Sequence, residues 1–305
     1  MSFITRRAFL KGGVALGAAS MVNLSPFPRW ARAADAPDLT VVSGKDPFQN
    51  TVAALTAIGG MERFVPKGAN VGLLINSPFG NPGTHVNPDV ALAVVSLCRR
   101  AGAGRMVSLK GEPDGYWSRG THYADLKAAV AGIDRPGADV TRPVPGGKAL
   151  KKARVVSDLF DCDVFINVSV VKHHEGTNFS GVLKNMMGAA PHSTCRYFHT
   201  GAGGSGWYGN LDHTHQCIAD INRLRSPDLV VIDATAFIMT NGPFGPGKMG
   251  RAGEVIAGTD PVLADAYICR YLDLDPADVG MIPRAAAAGL GRMDVGGAAI
   301  DRVRL

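Results

Sequence analysis

The stretch Val164-Phe165-Ile166-Asn167-Val168-Ser169-Val170-Val171-Lys172-His173-His174-Glu175-Gly176 decides how the rest of the chain is read. Its first eight residues are mostly apolar and rich in β-branched side chains, the pattern of a strand buried on both faces in a parallel sheet. Polarity then switches abruptly at Lys172. Open α/β sheets take ligands just beyond the carboxyl ends of their strands, so Lys172, His173, His174 and Glu175 are well placed to meet one. Polar residues after a strand are also ordinary loop chemistry. Lys184-Asn185 tilt the balance, because they sit between Gly181-Val182-Leu183 and Met186-Met187-Gly188. A cationic side chain among apolar neighbours needs a partner or a ligand.

Outward from this stretch, short apolar runs alternate with amphipathic helices, which implies an α/β fold with a mostly parallel sheet and helices on both faces. Strands are expected at 39–42, 71–75, 106–109, 229–232, 255–257 and 298–303, and helices at 47–58, 88–101, 121–131, 212–225 and 283–288. A further helix begins at Asp260-Pro261, and Asp212 is the expected cap of the 212–225 helix. The whole makes one large domain, divisible into two lobes at the proline- and glycine-bearing connection 135–148. The glycine-rich run 201–209 is expected to be a mobile loop beside the site. It lacks the strand-to-helix context of a dinucleotide fingerprint.

The N-terminus reads differently. Arg6-Arg7 precede a weakly apolar segment from Gly12 to Leu24 and an Ala31-Arg32-Ala33 site, the pattern of a twin-arginine export signal over residues 1–33. Such a signal implies the twin-arginine translocase as a partner and the periplasm as destination. Arg6, Arg7, Lys11, Arg29 and Arg32 supply +5 of the chain's net +6, leaving the remaining 272 residues near +1. Basicity is therefore no argument for a nucleic-acid partner, and no other apolar run is long enough to span a membrane. The five cysteines, Cys98, Cys162, Cys195, Cys217 and Cys269, are scattered without a C-x-x-C pair, so no iron-sulfur cluster is expected. Cys98 and Cys269 lie in apolar helical patterns and read as packing residues.

Two kinds of chemistry compete. Six of the eight histidines fall within 43 residues, which suggests a transition-metal site with His174, His192, His199 and His215 as ligands. No fixed ligand spacing supports it, and scattered packing histidines explain the count equally well. The other reading is a site for a small anion, with Lys172 and Lys184 supplying charge, Asn76 and Asn185 amide donors, and the first turn around His213 and His215 free backbone N–H groups. His174, Lys184 and His215 would then carry proton transfer, with Asp233 or Asp265 as further polar contacts. An enzyme and a non-catalytic metal-binding or redox-accessory protein both remain open.

The blocks VVKHH…GVLKNMMG, HQCIADINRLRSPDLVVIDA, GPFGPGK…VIAGTDPVLADAYICRYLDLDPADV and AAAAGLGRMD resemble, in order, those of the family called domain of unknown function 362. The resemblance implies an α/β domain with a shared ligand site and no established general reaction. It points to Lys172 and His174 as a lysine-x-histidine pair, to Lys184, Asn185 and Gly188 as a lysine-asparagine block, and to His215, Asp233, Gly242, Pro243, Asp260, Pro261 and Asp265. Two departures stand out. Many relatives carry lysine-proline-asparagine where this chain has Leu74-Ile75-Asn76, so one cationic contact is expected to be missing. Many also carry a ferredoxin-like cysteine segment that is absent here.

Overall fold

The computed structural model describes residues 36–201 and 206–305. Residues 1–33, and with them the twin-arginine expectation, lie outside the described residues.

The strands are β1 (Leu39–Ser43), β2 (Asn70–Ile75), β3 (Arg105–Ser108), β4 (Ile133–Asp134), β5 (Asp139–Pro143), β6 (Lys152–Val156), β7 (Val164–Val170), β8 (Leu229–Ala234), β9 (Phe237–Ile238), β10 (Met249–Gly250), β11 (Glu254–Gly258) and β12 (Ile300–Arg304). The α-helices are α1 (Pro47–Ala57), α2 (Pro88–Arg100), α3 (Tyr123–Ala131), α4 (Asp158–Asp161), α5 (Val182–Asn185), α6 (His192–Thr200), α7 (Leu211–Ile221), α8 (Pro261–Ile268) and α9 (Met281–Ala287). Eight strands form one sheet in the order β12-β1-β11-β8-β7-β2-β3-β4. From β8 to β4 all pairings are parallel, and β11 alone runs against its neighbours. This is the α/β architecture expected, built as one domain around one sheet. The proposed division into two lobes is not what forms. The connection after residue 135 instead folds into the antiparallel pair β5–β6, where it joins 152–156.

Alternation along β7 divides its buried side chains between two cores. Val164, Ile166, Val168 and Val170 pack into a core shared with α1 and α2, while Phe165 and Val171 face a second core built by α5, α7, α8 and α9. Helix starts follow local chemistry. Asp46 accepts from the Phe48 N–H at 2.9 Å ahead of Pro47, and Asp260 accepts from the Val262 and Leu263 N–H groups at 2.9 Å ahead of Pro261. Two local expectations need correction. The cap of α7 is Asn210, which accepts from the His213 N–H, and not Asp212; and β8 continues through Asp233 instead of ending before it.

Chain direction positions the site. From β2 the chain crosses to β3 through α2 on one face of the sheet, whereas from β7 it crosses the other way to β8 through α5, α6 and α7 on the opposite face. The neighbouring strands β2 and β7 therefore diverge at their carboxyl ends, leaving a crevice between the connections. That is where ligands sit in open α/β sheets.

Candidate functional site

Asn76 is the first residue after β2, and Lys172 lies two residues beyond β7. An asparagine chain ties them together. Asn185 donates through Nδ2 to Asn167 Oδ1 at 2.7 Å and to the Leu74 and Val168 carbonyls, and its Oδ1 accepts from Asn76 Nδ2 at 2.9 Å. Asn76 Oδ1 in turn accepts from Lys172 Nζ at 2.9 Å, and Lys172 also donates to the Thr84 carbonyl at 2.5 Å. The face of Phe79 lies 4.7 Å from the same Nζ. The side-chain amides of Asn76 and Asn185, expected as ligand donors, are thus engaged with the protein and fix the position of the lysine.

Beyond this chain lies a cavity of about 210 Å³, lined by Asn76, Phe79, Lys110, Lys172, His174, Lys184, Asn185, Cys195, His199, Trp207, Tyr208 and Phe244 among others. It would hold roughly seven waters at ~30 Å³ each, too little for a dinucleotide and ample for a small acid. Three lysines reach it from two connections, Lys110 from the one after β3 and both Lys172 and Lys184 from the one after β7. Among the described residues that line it there is no Asp or Glu.

Burial dominates the electrostatics. It pushes Lys184 down to about 8, with Lys110 acting in the same direction, and it pushes Lys172 well below the usual lysine range, with Lys184 and Lys110 as further causes. Desolvation also lowers His174 to about 2 and His199 to about 4, with Lys184 reinforcing both. Both imidazoles are neutral at pH 7. His174 Nδ1 donates to the Glu175 carbonyl, which leaves Nε2 as the ring atom with a lone pair. His174 and His199 stack with centroids 6.2 Å apart, and Tyr208 meets both rings edge-on.

The lining loops are locked by close approaches. Lys172 and Ser180 exchange backbone hydrogen bonds, closing the His174 loop at its base. A Cβ on Gly242 would stand 1.8 Å from the His173 carbonyl oxygen, and one on Gly176 would stand 2.5 Å from the Tyr208 ring. Asp265 Oδ1 and Oδ2 accept from the Val182 and Leu183 N–H groups at 2.6 and 2.9 Å, which anchors the turn that carries Lys184.

Of the residues singled out from sequence, Asn76, Lys172, His174, Lys184, Asn185 and His199 come together at the cavity. Four do not. Asp233 is buried and accepts from the Asn87 N–H and from Thr235, bracing the start of α2. Asp265 stands behind α5. His215 is wedged against Gly280 between α7 and α9, lowered to about 4 by burial first and then by Arg284. His192 is exposed at the start of α6, its ring 6.4 Å from Trp207. The four histidines expected to bind a metal are therefore not drawn together. Among the described residues no three His, Cys, Asp or Glu side chains are placed to hold one. The first turn of α7 does not line the cavity either.

Lys110, Trp207 and Tyr208 are lining residues that sequence reasoning missed, whereas Cys195, close in sequence to the histidines, lines the cavity as well. Lys110 had a readable signal, since it follows a strand end just as Lys172 does. It also supplies a third cation where the missing Lys-Pro-Asn motif had suggested a deficit. All five cysteines are free, with Cys98 and Cys269 buried as expected and Cys195 only partly so.

Fold and site together define an α/β protein with a cationic crevice at the carboxyl ends of its central parallel strands. The chain belongs to the family described as Domain of unknown function (DUF362), whose sequence model matches residues 71–270. It is also similar to a thylakoid-associated protein of Synechocystis sp., with 27% identity over 246 residues that cover 77% of this chain and 73% of the relative. Among the described residues no helix is long and apolar enough to cross a membrane.

Proposed function

We propose that the cavity binds a small carboxylate or phosphate anion, with the neutral imidazole of His174 forming part of its wall. The observation that carries this reading is the set of three lysines, Lys110, Lys172 and Lys184, lining one cavity with no carboxylate among its described lining residues. Taking a cation out of water costs several kcal/mol unless it is compensated. An anion about 4 Å away offers each ammonium roughly 4 kcal/mol at an effective dielectric of about 20, which is enough to reverse the penalty. Lys172 is partly compensated by Asn76, the Thr84 carbonyl and Phe79, but a purely structural role gives Lys110 and Lys184 no such offset.

Titration calorimetry with oxalate, malonate and inorganic phosphate tests the reading. One of them binds, and Lys110→Ala weakens it by about tenfold, as expected for one lost ion pair in a partly screened setting. Affinity falls as salt is raised. If none of these anions binds, or if Lys110→Ala and Lys184→Met leave affinity unchanged, the reading is wrong.

The protein also works, on this proposal, after export by the twin-arginine pathway. Arg6-Arg7, the short apolar segment and Ala31-Arg32-Ala33 support that. Replacing Arg6 and Arg7 together by lysine leaves full-length precursor in the cytoplasm. Unchanged processing in that double variant would sink the export proposal.

A further inference from the structure

We propose that Lys184 is a covalent amine nucleophile, forming an imine with the carbonyl of a small 2-oxo carboxylate whose acid group is held by Lys110 and Lys172. This rests on the anion reading above and assigns a reacting atom within that same site.

The three lysines are not equivalent. Lys172 Nζ is committed to two oxygen acceptors and the face of Phe79, so the protein itself holds it in place. Lys110 is the most exposed of the three along its length, and burial where it lines the cavity lowers it from the ordinary lysine range. Lys184 lies deeper on α5, and among the described residues its Nζ makes no hydrogen bond or ion pair, although its side chain lines the cavity. A lysine that is desolvated and flanked by another cation is the usual form of an activated amine. Its lowering to about 8 by burial, with Lys110 assisting, agrees with that geometry. Lys110, Lys184 and Cys195 line the same cavity, and both lysines act electrostatically on the Cys195 thiol.

The step balances without an added reactant. The amine, freed of one proton, forms the C–N bond as the carbonyl π pair moves onto oxygen. One proton passes from nitrogen to that oxygen. A second proton, the one first released by the ammonium, lets the oxygen leave as water. The product is a protonated imine plus one water, from one oxo acid and one ammonium.

The mature-length protein incubated with pyruvate and sodium cyanoborohydride tests this. Hydride reduces the imine to a secondary amine, and the intact mass rises by that of pyruvic acid less one oxygen atom. Peptide mapping assigns the adduct to Lys184. Lys184→Arg, which keeps the cation, lowers labelling by at least about tenfold, and carbonyl-free lactate competes. Far-ultraviolet circular dichroism verifies that the variant is folded, and Lys184→Met serves if it is not. An adduct on Lys172, on Lys110 or spread over surface lysines overturns the proposal. If pyruvate and lactate both bind but nothing is trapped, the nucleophile is wrong and the anion site survives. If neither they nor the anions tested above bind, both fall together.

Discussion

The Lys184 side chain ties protonation to stability. Its folded value of about 8 lies below that of an unfolded lysine, about 10.4. Between those values the unfolded chain holds a proton that the folded chain does not, so stability rises with pH across that window. Below about pH 8 the charged, buried group weighs against folding in full. The ligand-free protein should therefore gain melting temperature, relative to Lys184→Met, as pH goes from about 8 to about 10. A bound anion keeps the lysine charged and flattens this gain. A difference that shrinks or reverses over the same range in the empty protein would contradict the assigned environment. At the same scale, Lys172, His174 and Lys184 were legible because they follow a strand end or interrupt an apolar run. Trp207 and Tyr208 were not, because nothing in a glycine-rich run tells which side chain turns inward.

At the scale of elements, the site depends on very short helices. α5 has four residues and no capping side chain of its own, and its leading N–H groups are met by Asp265 from α8, some eighty positions later in the chain. Asp265→Ala leaves two buried donors without partners, at about 1–3 kcal/mol each. We expect a loss of roughly 2–4 kcal/mol in denaturant unfolding together with weaker anion binding, since Lys184 rides on that turn. Gly181→Ala should behave alike, because its Cβ would stand 2.2 Å from Asp265 Oδ1. If either variant keeps wild-type anion affinity, α5 does not depend on this anchor. The sequence disclosed the long capped helices and the buried strands through period and cap residues. It concealed α6, in which only Phe198 and His199 are buried, and β5, none of whose residues is buried. Such segments bury too little apolar surface to leave a period. The direction of β11 was equally hidden, since an apolar run reads the same forwards and backwards.

Across the whole molecule, the cavity draws on residues from Asn76 to Phe244, so its filling should stabilise the fold as a unit. At about one hundred times its Kd a bound anion adds about 2.7 kcal/mol, which for a domain of this size raises Tm by roughly 5–10 °C. Differential scanning calorimetry with and without the best anion reads this shift. A local melting event unaffected by ligand would show that the site is not coupled to the sheet. The fold class was legible at this scale because alternating strands and helices have few topological solutions. The two-lobe expectation failed because proline and glycine between elements mark a turn as readily as a boundary. One described feature also equips the molecule with its own optical reporter. Trp207 is 53% exposed at the rim of the cavity, with the His199 ring 4.8 Å away, whereas Trp117 packs against Tyr116. Occupancy by a substrate would change the polarity and quenching around the Trp207 indole and spare Trp117, so emission spectra can follow loading in real time without a dye.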